Sequence, residues 1–300
     1  MDKIRILIIG QGSFGKYITE NIIKPLHFNI VNILRSKDFD KIKYYAEHKE
    51  LYDRIYIALP YELHHPVIKM FPEDAPILCE KPILGYDSLP KIRMGYHRIF
   101  DRYFINAKLD IQKKIANGET PRVRIVSKDT DEGNDDTLDW LYCAMCHDLH
   151  MCAFLDTNVA VNDVVLGKKG SDITVQLKGD HCKFTIEYNR DWATYVQEIV
   201  VDNVVYGYDS EVFSQPYEET YRREFMEFAR YPKPDHAMES LQHEASNLLL
   251  SASSIICKKY PNAMKVHREK YTKGIWLNPV TKQLIGDNID ILPYEPIQHE

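Results

Sequence analysis

Ile4-Arg5-Ile6-Leu7-Ile8-Ile9 runs without a break into Gly10-Gln11-Gly12-Ser13-Phe14-Gly15. A short, β-branched apolar run reads as a strand. Behind the glycines, Phe14, Ile18 and Ile22 recur at helical spacing until Pro25 ends the pattern. Strand, glycine turn and helix in this order open a βαβ series. The first glycine permits the tight turn, the second lets a pyrophosphate approach main-chain N–H groups, and the third lets helix pack on strand. The helix start adds partial positive charge at the same place. Gly10, Gly12, Ser13, Phe14 and Gly15 are therefore expected to hold the diphosphate of a dinucleotide.

The pattern that follows repeats strand and helix. Extended segments are expected at 28–34, 54–59, 77–79 and 103–107, and helices at 14–23, 42–48, 63–70 and 89–99. Strands recurring with helices between them build a parallel sheet. Near residue 120 the pattern changes. A strand at 123–127 and a long apolar helix at 138–155 precede extended segments at 163–166, 173–178, 182–189 and 195–206, with helices at 218–229 and 237–257. Alternation such as Thr174-Val175-Gln176-Leu177 gives one buried face, hence a mostly antiparallel sheet. The expected class is α/β: a Rossmann parallel sheet at 1–120, then an α+β domain on a mostly antiparallel open sheet at 121–300. Residues 266–300 read as an irregular C-terminal extension.

Composition excludes several alternatives. The net charge is −6 and no basic run occurs, so nucleic acid is not an expected partner. No apolar stretch has the length of a membrane span. The N-terminus enters its strand directly, so no signal peptide is read. The six cysteines do not form a disulfide framework in a chain of this size, and a reducing, cytoplasmic setting is expected.

The end of the second strand selects the cofactor. An acidic residue there would accept from a free ribose 2′-hydroxyl. This chain has Arg35-Ser36-Lys37 instead, and a carboxylate only at Asp38. Two cations and a hydroxyl suit a 2′-phosphate, so NADP(H) is favoured, with NAD(H) possible. Leu59, Pro60 and His64 follow the third strand, and Glu80-Lys81-Pro82 follows the fourth. Both lie where ligands bind in such sheets, beyond the strand C-termini, so Leu59, Pro60, His64, Glu80 and Lys81 complete the expected cofactor site.

Taken together, Gly10-x-Gly12-x-x-Gly15, Pro60-x-x-x-His64 and Glu80-Lys81-Pro82 resemble the glucose–fructose oxidoreductase / inositol dehydrogenase / rhizopine catabolism (Gfo/Idh/MocA) family of dinucleotide-dependent oxidoreductases. Asn106-Ala107-Lys108 through Asn117-Gly118, and Tyr221-x-x-Glu224-Phe225-x-x-Phe228 followed by His236-Ala237-x-x-Ser240-Leu241, extend the likeness over about residues 1–260. The family also carries Asp-x-Gly-x-His-x-x-Asp at the start of a helix. Here that segment is Cys143-Ala144-Met145-Cys146-His147-Asp148-Leu149-His150, so the histidine remains as His147 and the last aspartate is His150. Asp148 lies one step away, a turn of about 100° around a helix.

The resemblance implies an oxidoreductase in which Lys81 and His147 are catalytic and Asn106, Lys108 and His150 face a carbohydrate-like small molecule. A hydride passes between nicotinamide and the hydroxyl- or keto-bearing carbon of a sugar, nucleotide sugar or polyol. His147 exchanges the proton, its type titrating near pH 6.5, and Lys81 stabilises charge on the same oxygen. The family also implies a homodimer or tetramer. The departures at Cys143, Met145 and His150 motivate an alternative, a non-catalytic dinucleotide-binding sensor. A reductase of an imine or conjugated double bond, such as a bilin, would use the same cofactor without needing His147.

Two other readings compete for the same segment. Cys143-x-x-Cys146-His147 matches a c-type haem attachment pattern, but that chemistry requires export in most settings. Cys143, Cys146, His147 and His150 share one helical face, yet four ligands on one unbroken helix cannot easily surround a metal tetrahedrally. No metal is expected.

Overall fold

The computed structural model describes residues 3–83, 89, 92–130, 141–167, 172–189, 191–208 and 214–263. Among these, one compact unit comprises residues up to 97 together with 218–243, and the other residues 98–217 with 244–263. The expected extension at 266–300 and the start of the expected helix at 138–140 lie outside the described residues.

The first unit carries a five-stranded sheet of β1 (Arg5–Ile9), β2 (Asn29–Leu34), β3 (Arg54–Ile57), β4 (Ile77–Cys79) and β5 (Arg93–Met94), in the order β2-β1-β3-β4-β5. Every neighbouring pair is parallel. Ile6, Leu7, Ile8 and Ile9 are all fully buried, as in a strand covered on both faces. Helix α1 (Ser13–Ile18) continues through a π turn at Thr19–Ile23. Helix α2 (Phe39–Glu47) follows β2, and α3 (His64–Ile68) follows β3. The chain order reverses between β1 and β3, and in open sheets of this kind the crevice at such a switch point receives ligands.

The fifth strand is Arg93–Met94, within the segment read as a helix at 89–99, and a 3₁₀ turn follows at His97–Phe100. The segment read as a strand at 103–107 is instead the start of α4 (Arg102–Ala116). Asp101 is its N-cap, the carboxylate accepting from Tyr103 N at 2.8 Å, and Phe104, Ala107 and Ile111 form its buried stripe.

The second unit carries β6 (Arg122–Thr130), β7 (Ala160–Leu166), β8 (Asp172–Lys178), β9 (Lys183–Asn189), β10 (Asp191–Val201) and β11 (Val204–Tyr208), ordered β11-β10-β6-β9-β8-β7. Only β6 and β9 pair in parallel; the other neighbours are antiparallel. The alternation is clean: Ile173, Val175 and Leu177 of β8 and Phe184, Ile186 and Tyr188 of β9 point inward. The extended segment read at 195–206 is a hairpin, turned at Asp202, whose φ is 54°. Helix α5 (Cys146–Leu155) is buried around most of its circumference. It ends at Asp156, whose carboxylate accepts from Thr157 N at 2.8 Å, His181 N at 2.9 Å and Cys182 N at 2.7 Å, with His181 Nδ1 at 2.9 Å.

Two helices close the described chain, α6 (Ser214–Arg230) and α7 (His236–Lys259). Residues 218–230 of α6 return to the first unit, so the division is not a single cut near residue 120. The cause is an apolar stripe. Tyr221, Phe225 and Phe228 are buried, with the Phe225 ring 5.0 Å from Tyr56 and 6.5 Å from Phe28. Arg54 then caps the helix end, donating to the carbonyls of Phe228 (3.2 Å) and Ala229 (2.7 Å). No helix among the described residues is long and apolar enough to cross a membrane.

Candidate functional site

The three glycines do three different things. Gly10 has φ +120°, and a Cβ there would lie 2.1 Å from the Ala58 carbonyl oxygen. A Cβ on Gly15 would lie 2.5 Å from the Gly10 carbonyl oxygen, so helix and turn pack without a gap. A Cβ on Gly12 would meet nothing within 4 Å. Gly10 and Gly15 are therefore fixed by the fold, whereas Gly12 faces open space. Residues 11–14 are exposed. Gly12 caps α1 with no side-chain hydrogen bond, and the first turn contains no acid. The first N–H groups of a helix have no intrahelical acceptor. A glycine turn that opens on free space beside orphan donors is what a diphosphate requires.

At the end of β2, Arg35 Nε donates to Gln11 Oε1 at 3.3 Å, linking this loop to the glycine turn. The Asp38 carboxylate turns back to accept from Arg35 N at 2.8 Å. It is thus used in closing its own turn. Arg35 and Lys37 are exposed and Ser36 is half-buried. Sequence reasoning named Arg35, Ser36 and Lys37 but missed Gln11, which no motif marks.

Beyond β3 and β4, His64 is buried, with Nε2 2.8 Å from the Leu59 carbonyl and Nδ1 2.8 Å from the Pro82 carbonyl. Burial lowers its pKa to about 4, against the two carbonyls and with Lys81 adding to the lowering. His64 thus ties together the two loops that carry Pro60 and Lys81. Glu80 is buried, and Tyr56 donates to its Oε1 at 2.8 Å. Burial pushes its pKa up to about 7, opposed by Lys81 and by the Tyr56 hydrogen bond. Lys81 is half-buried and its bond to Pro82 is cis.

His147 lies in the second unit, on the first turn of α5, and is buried. Its neighbour Asp148 is wholly buried, paired with Arg98 and accepting from Ser127 Oγ at 3.1 Å. His150 is buried as well, and burial followed by the Arg98 charge lowers its pKa to about 3, so it is neutral. Lys108 on α4 is half-buried and its ammonium lies 3.6 Å from the centre of the Phe154 ring, while Asn106 is exposed. Burial lowers the Lys108 pKa. Cys143 is exposed and Cys146 buried. Among the described residues, no group of three or more His, Cys, Asp or Glu side chains is placed to hold a metal ion.

No family model and no curated protein matches the chain. Solved structures do. A myo-inositol dehydrogenase from Corynebacterium glutamicum aligns at TM-score 0.63 and 20% identity, over 83% of this chain and 96% of that one. The WlbA dehydrogenase of Thermus thermophilus, in complex with NAD and UDP-GlcNAcA, aligns at TM-score 0.65 and 13% identity, over 82% and 93%. A myo-inositol dehydrogenase from Lactobacillus casei, in complex with NAD(H) and myo-inositol, aligns at TM-score 0.64 and 12% identity, over 85% and 94%. The chain therefore has the fold of these dehydrogenases along nearly their whole length, and the resemblance drawn from its motifs holds at the level of fold.

Proposed function

We propose that this chain is an NADP(H)-dependent oxidoreductase that moves a hydride between the nicotinamide and the hydroxyl- or keto-bearing carbon of a sugar, nucleotide sugar or polyol. The observation that supports it most is the glycine turn: Gly12 opens on free space above an uncapped helix start, with Arg35 joined to Gln11 beside it. A dinucleotide supplies the hydride chemistry when bound; the protein binds, orients and handles the proton.

In this reading Gly12, Ser13, Phe14 and Gly15 receive the diphosphate on their backbone, and Arg35, Ser36 and Lys37 receive the 2′-phosphate. Pro60, Glu80 and Lys81 border the nicotinamide, and Leu59 offers its carbonyl to His64. Lys81 donates a hydrogen bond to the substrate oxygen and stabilises its developing negative charge as the proton leaves. His147 takes that proton in oxidation and returns it in reduction. Lys108 and Asn106 face the substrate, and the chain works as a homodimer or tetramer, which mass in solution checks.

The engagement of Asp148 with Arg98 favours a second reading, a dinucleotide-binding protein without turnover, because the nearest carboxylate to His147 in sequence is committed to the interior. Fluorescence titration with NADPH, followed by a panel of ketoses and polyols, separates the two. Binding with turnover that Lys81→Met abolishes supports the enzyme. Binding without turnover on any member of the panel supports the sensor, and absence of binding by either reduced nucleotide refutes both.

A further inference from the structure

Phe14 stands between Gly12 and Gly15 in the glycine turn and is 36% exposed. What covers the rest of its ring is helix α6. Phe14 meets the Tyr221 ring edge to face, with centroids 5.8 Å apart. Tyr221 is 1% exposed and stacks on His97 at 4.0 Å. Three rings therefore run from the glycine turn to the chain that follows β5. A second contact lies beside the first. Tyr17, one turn beyond Phe14, donates its hydroxyl to Glu218 Oε1 at 3.3 Å, and Glu218 stands one turn before Tyr221. Burial, followed by the Glu218 charge, raises the Tyr17 pKa, so the hydroxyl keeps the proton it donates.

The spacing of these contacts is matched. Phe14 and Tyr17 are three residues apart on α1, Glu218 and Tyr221 three apart on α6, so each pair occupies one helical face and the two faces meet. The later part of α6 is anchored on the sheet, where Phe225 packs on Tyr56 and Phe28 and Arg54 holds the helix end. Only its early part reaches the glycine turn. The turn has little else to hold its outer side. Helix α1 is six residues long before the π turn begins, Gly12 gives it no side-chain cap, and residues 11–14 are exposed. So short a helix depends on tertiary packing for its stability.

We propose that Tyr221 is a positioning residue for the dinucleotide: packed on both His97 and Phe14, it fixes the glycine turn in the form that receives the diphosphate. This rests on the nucleotide site proposed above. Tyr221 acts through Phe14 and touches no ligand, so its effect is indifferent to the 2′-phosphate, whereas that of Arg35 is not. The coupling is reciprocal: bound nucleotide secures the start of α6 to the extent that Tyr221 secures the turn.

The test uses the full chain. Without nucleotide, amide hydrogen exchange across residues 10–18 is followed by peptide mass spectrometry. Tyr221→Leu should speed it about fivefold, the loss of one aromatic pair, and Tyr221→Phe should keep the parent rate. Phe228→Leu, on the same stripe but at the far end of α6, should lower the melting temperature and leave exchange at the turn unchanged. Fluorescence titration follows. Tyr221→Leu should weaken NADPH and NADH by the same factor, about fivefold, and adding Phe14→Leu should bring little further loss. Unchanged exchange or affinity in Tyr221→Leu, an equal effect of Phe228→Leu at the turn, or additive losses in the double variant would overturn the proposal. Should Tyr221→Leu not fold, Phe14→Leu alone, at an exposed position, supplies the same exchange and titration comparisons. A parent that binds neither nucleotide would strike the functional reading, while the exchange rates would still decide whether Tyr221 holds the turn.

Discussion

The imidazole of His64 stands 2.8 Å from the Pro82 carbonyl oxygen, and its other nitrogen reaches back the same distance to Leu59. One buried side chain therefore connects the ends of β3 and β4, the two strand ends nearest the expected nicotinamide position. His64→Ala removes the neutral imidazole that donates to one of these carbonyls and stands 2.8 Å from the other, and leaves a cavity. The expected cost is about 3 kcal/mol, read as a lower urea midpoint. NADPH affinity should weaken as well, whereas a histidine acting only on the ligand would leave stability unchanged.

Gly12 and Gly10 should behave oppositely on substitution. Gly12→Val places its side chain in open space, so the melting temperature should shift by only about 2 °C or less, while NADPH affinity falls about tenfold or more. Gly10→Ala drives a Cβ into the Ala58 carbonyl at positive φ, and should destabilise by about 3 kcal/mol or more. Calorimetry beside fluorescence titration distinguishes the two.

In the proposed reading Arg35 carries the choice of coenzyme. Its guanidinium is exposed and its own turn already consumes the Asp38 carboxylate. Arg35→Ala should weaken NADPH by about tenfold, the loss of one charge-assisted contact, and leave NADH within about twofold. Equal weakening of both nucleotides would remove the 2′-phosphate assignment.

Asp148 and Arg98 form a buried ion pair, so removing one partner strands the other. Asp148→Ala should cost about 3–5 kcal/mol. The double replacement Arg98→Met with Asp148→Leu should recover most of that loss, which chemical denaturation of the single and double variants would show.

Asp156 contributes to the acid limb of stability. Burial pushes its pKa up, but the His181 ring and three backbone N–H groups outweigh that, and the net shift is downward. Its contribution is present above the ordinary carboxylate range and is lost as pH falls through the lowered folded value. Asp156→Asn should lower the melting temperature at neutral pH and leave the two proteins closer together below about pH 3.

The first sheet was readable because its signals are local. The β1 run, the glycine spacing and the apolar repeat of α1 all lie within about twenty residues, and parallel strands buried on both faces announce themselves as unbroken apolar runs. The second sheet declared itself by alternation in β8 and β9. Where short apolar segments carry either period, the reading failed. Residues 103–107 form a short, mostly apolar run that reads as a strand, and only Asp101 as an N-cap and the wider spacing of Phe104, Ala107 and Ile111 disclose the helix. Within the site, Gly10 and Gly15 were legible because turn and packing geometry demand them, and Gly12 because its spacing between them marks it. The meeting of Tyr56 with Glu80, and of Arg98 with Asp148, was not, since each joins segments far apart in the chain.

The return of α6 to the first unit carries a cost in time. Its stripe of Tyr221, Phe225 and Phe228 is synthesised long after the strands it covers. During translation the early sheet must wait with Tyr56 and Phe28 uncovered by this helix until the ribosome has released the residues near 230, a period of exposed apolar surface open to aggregation.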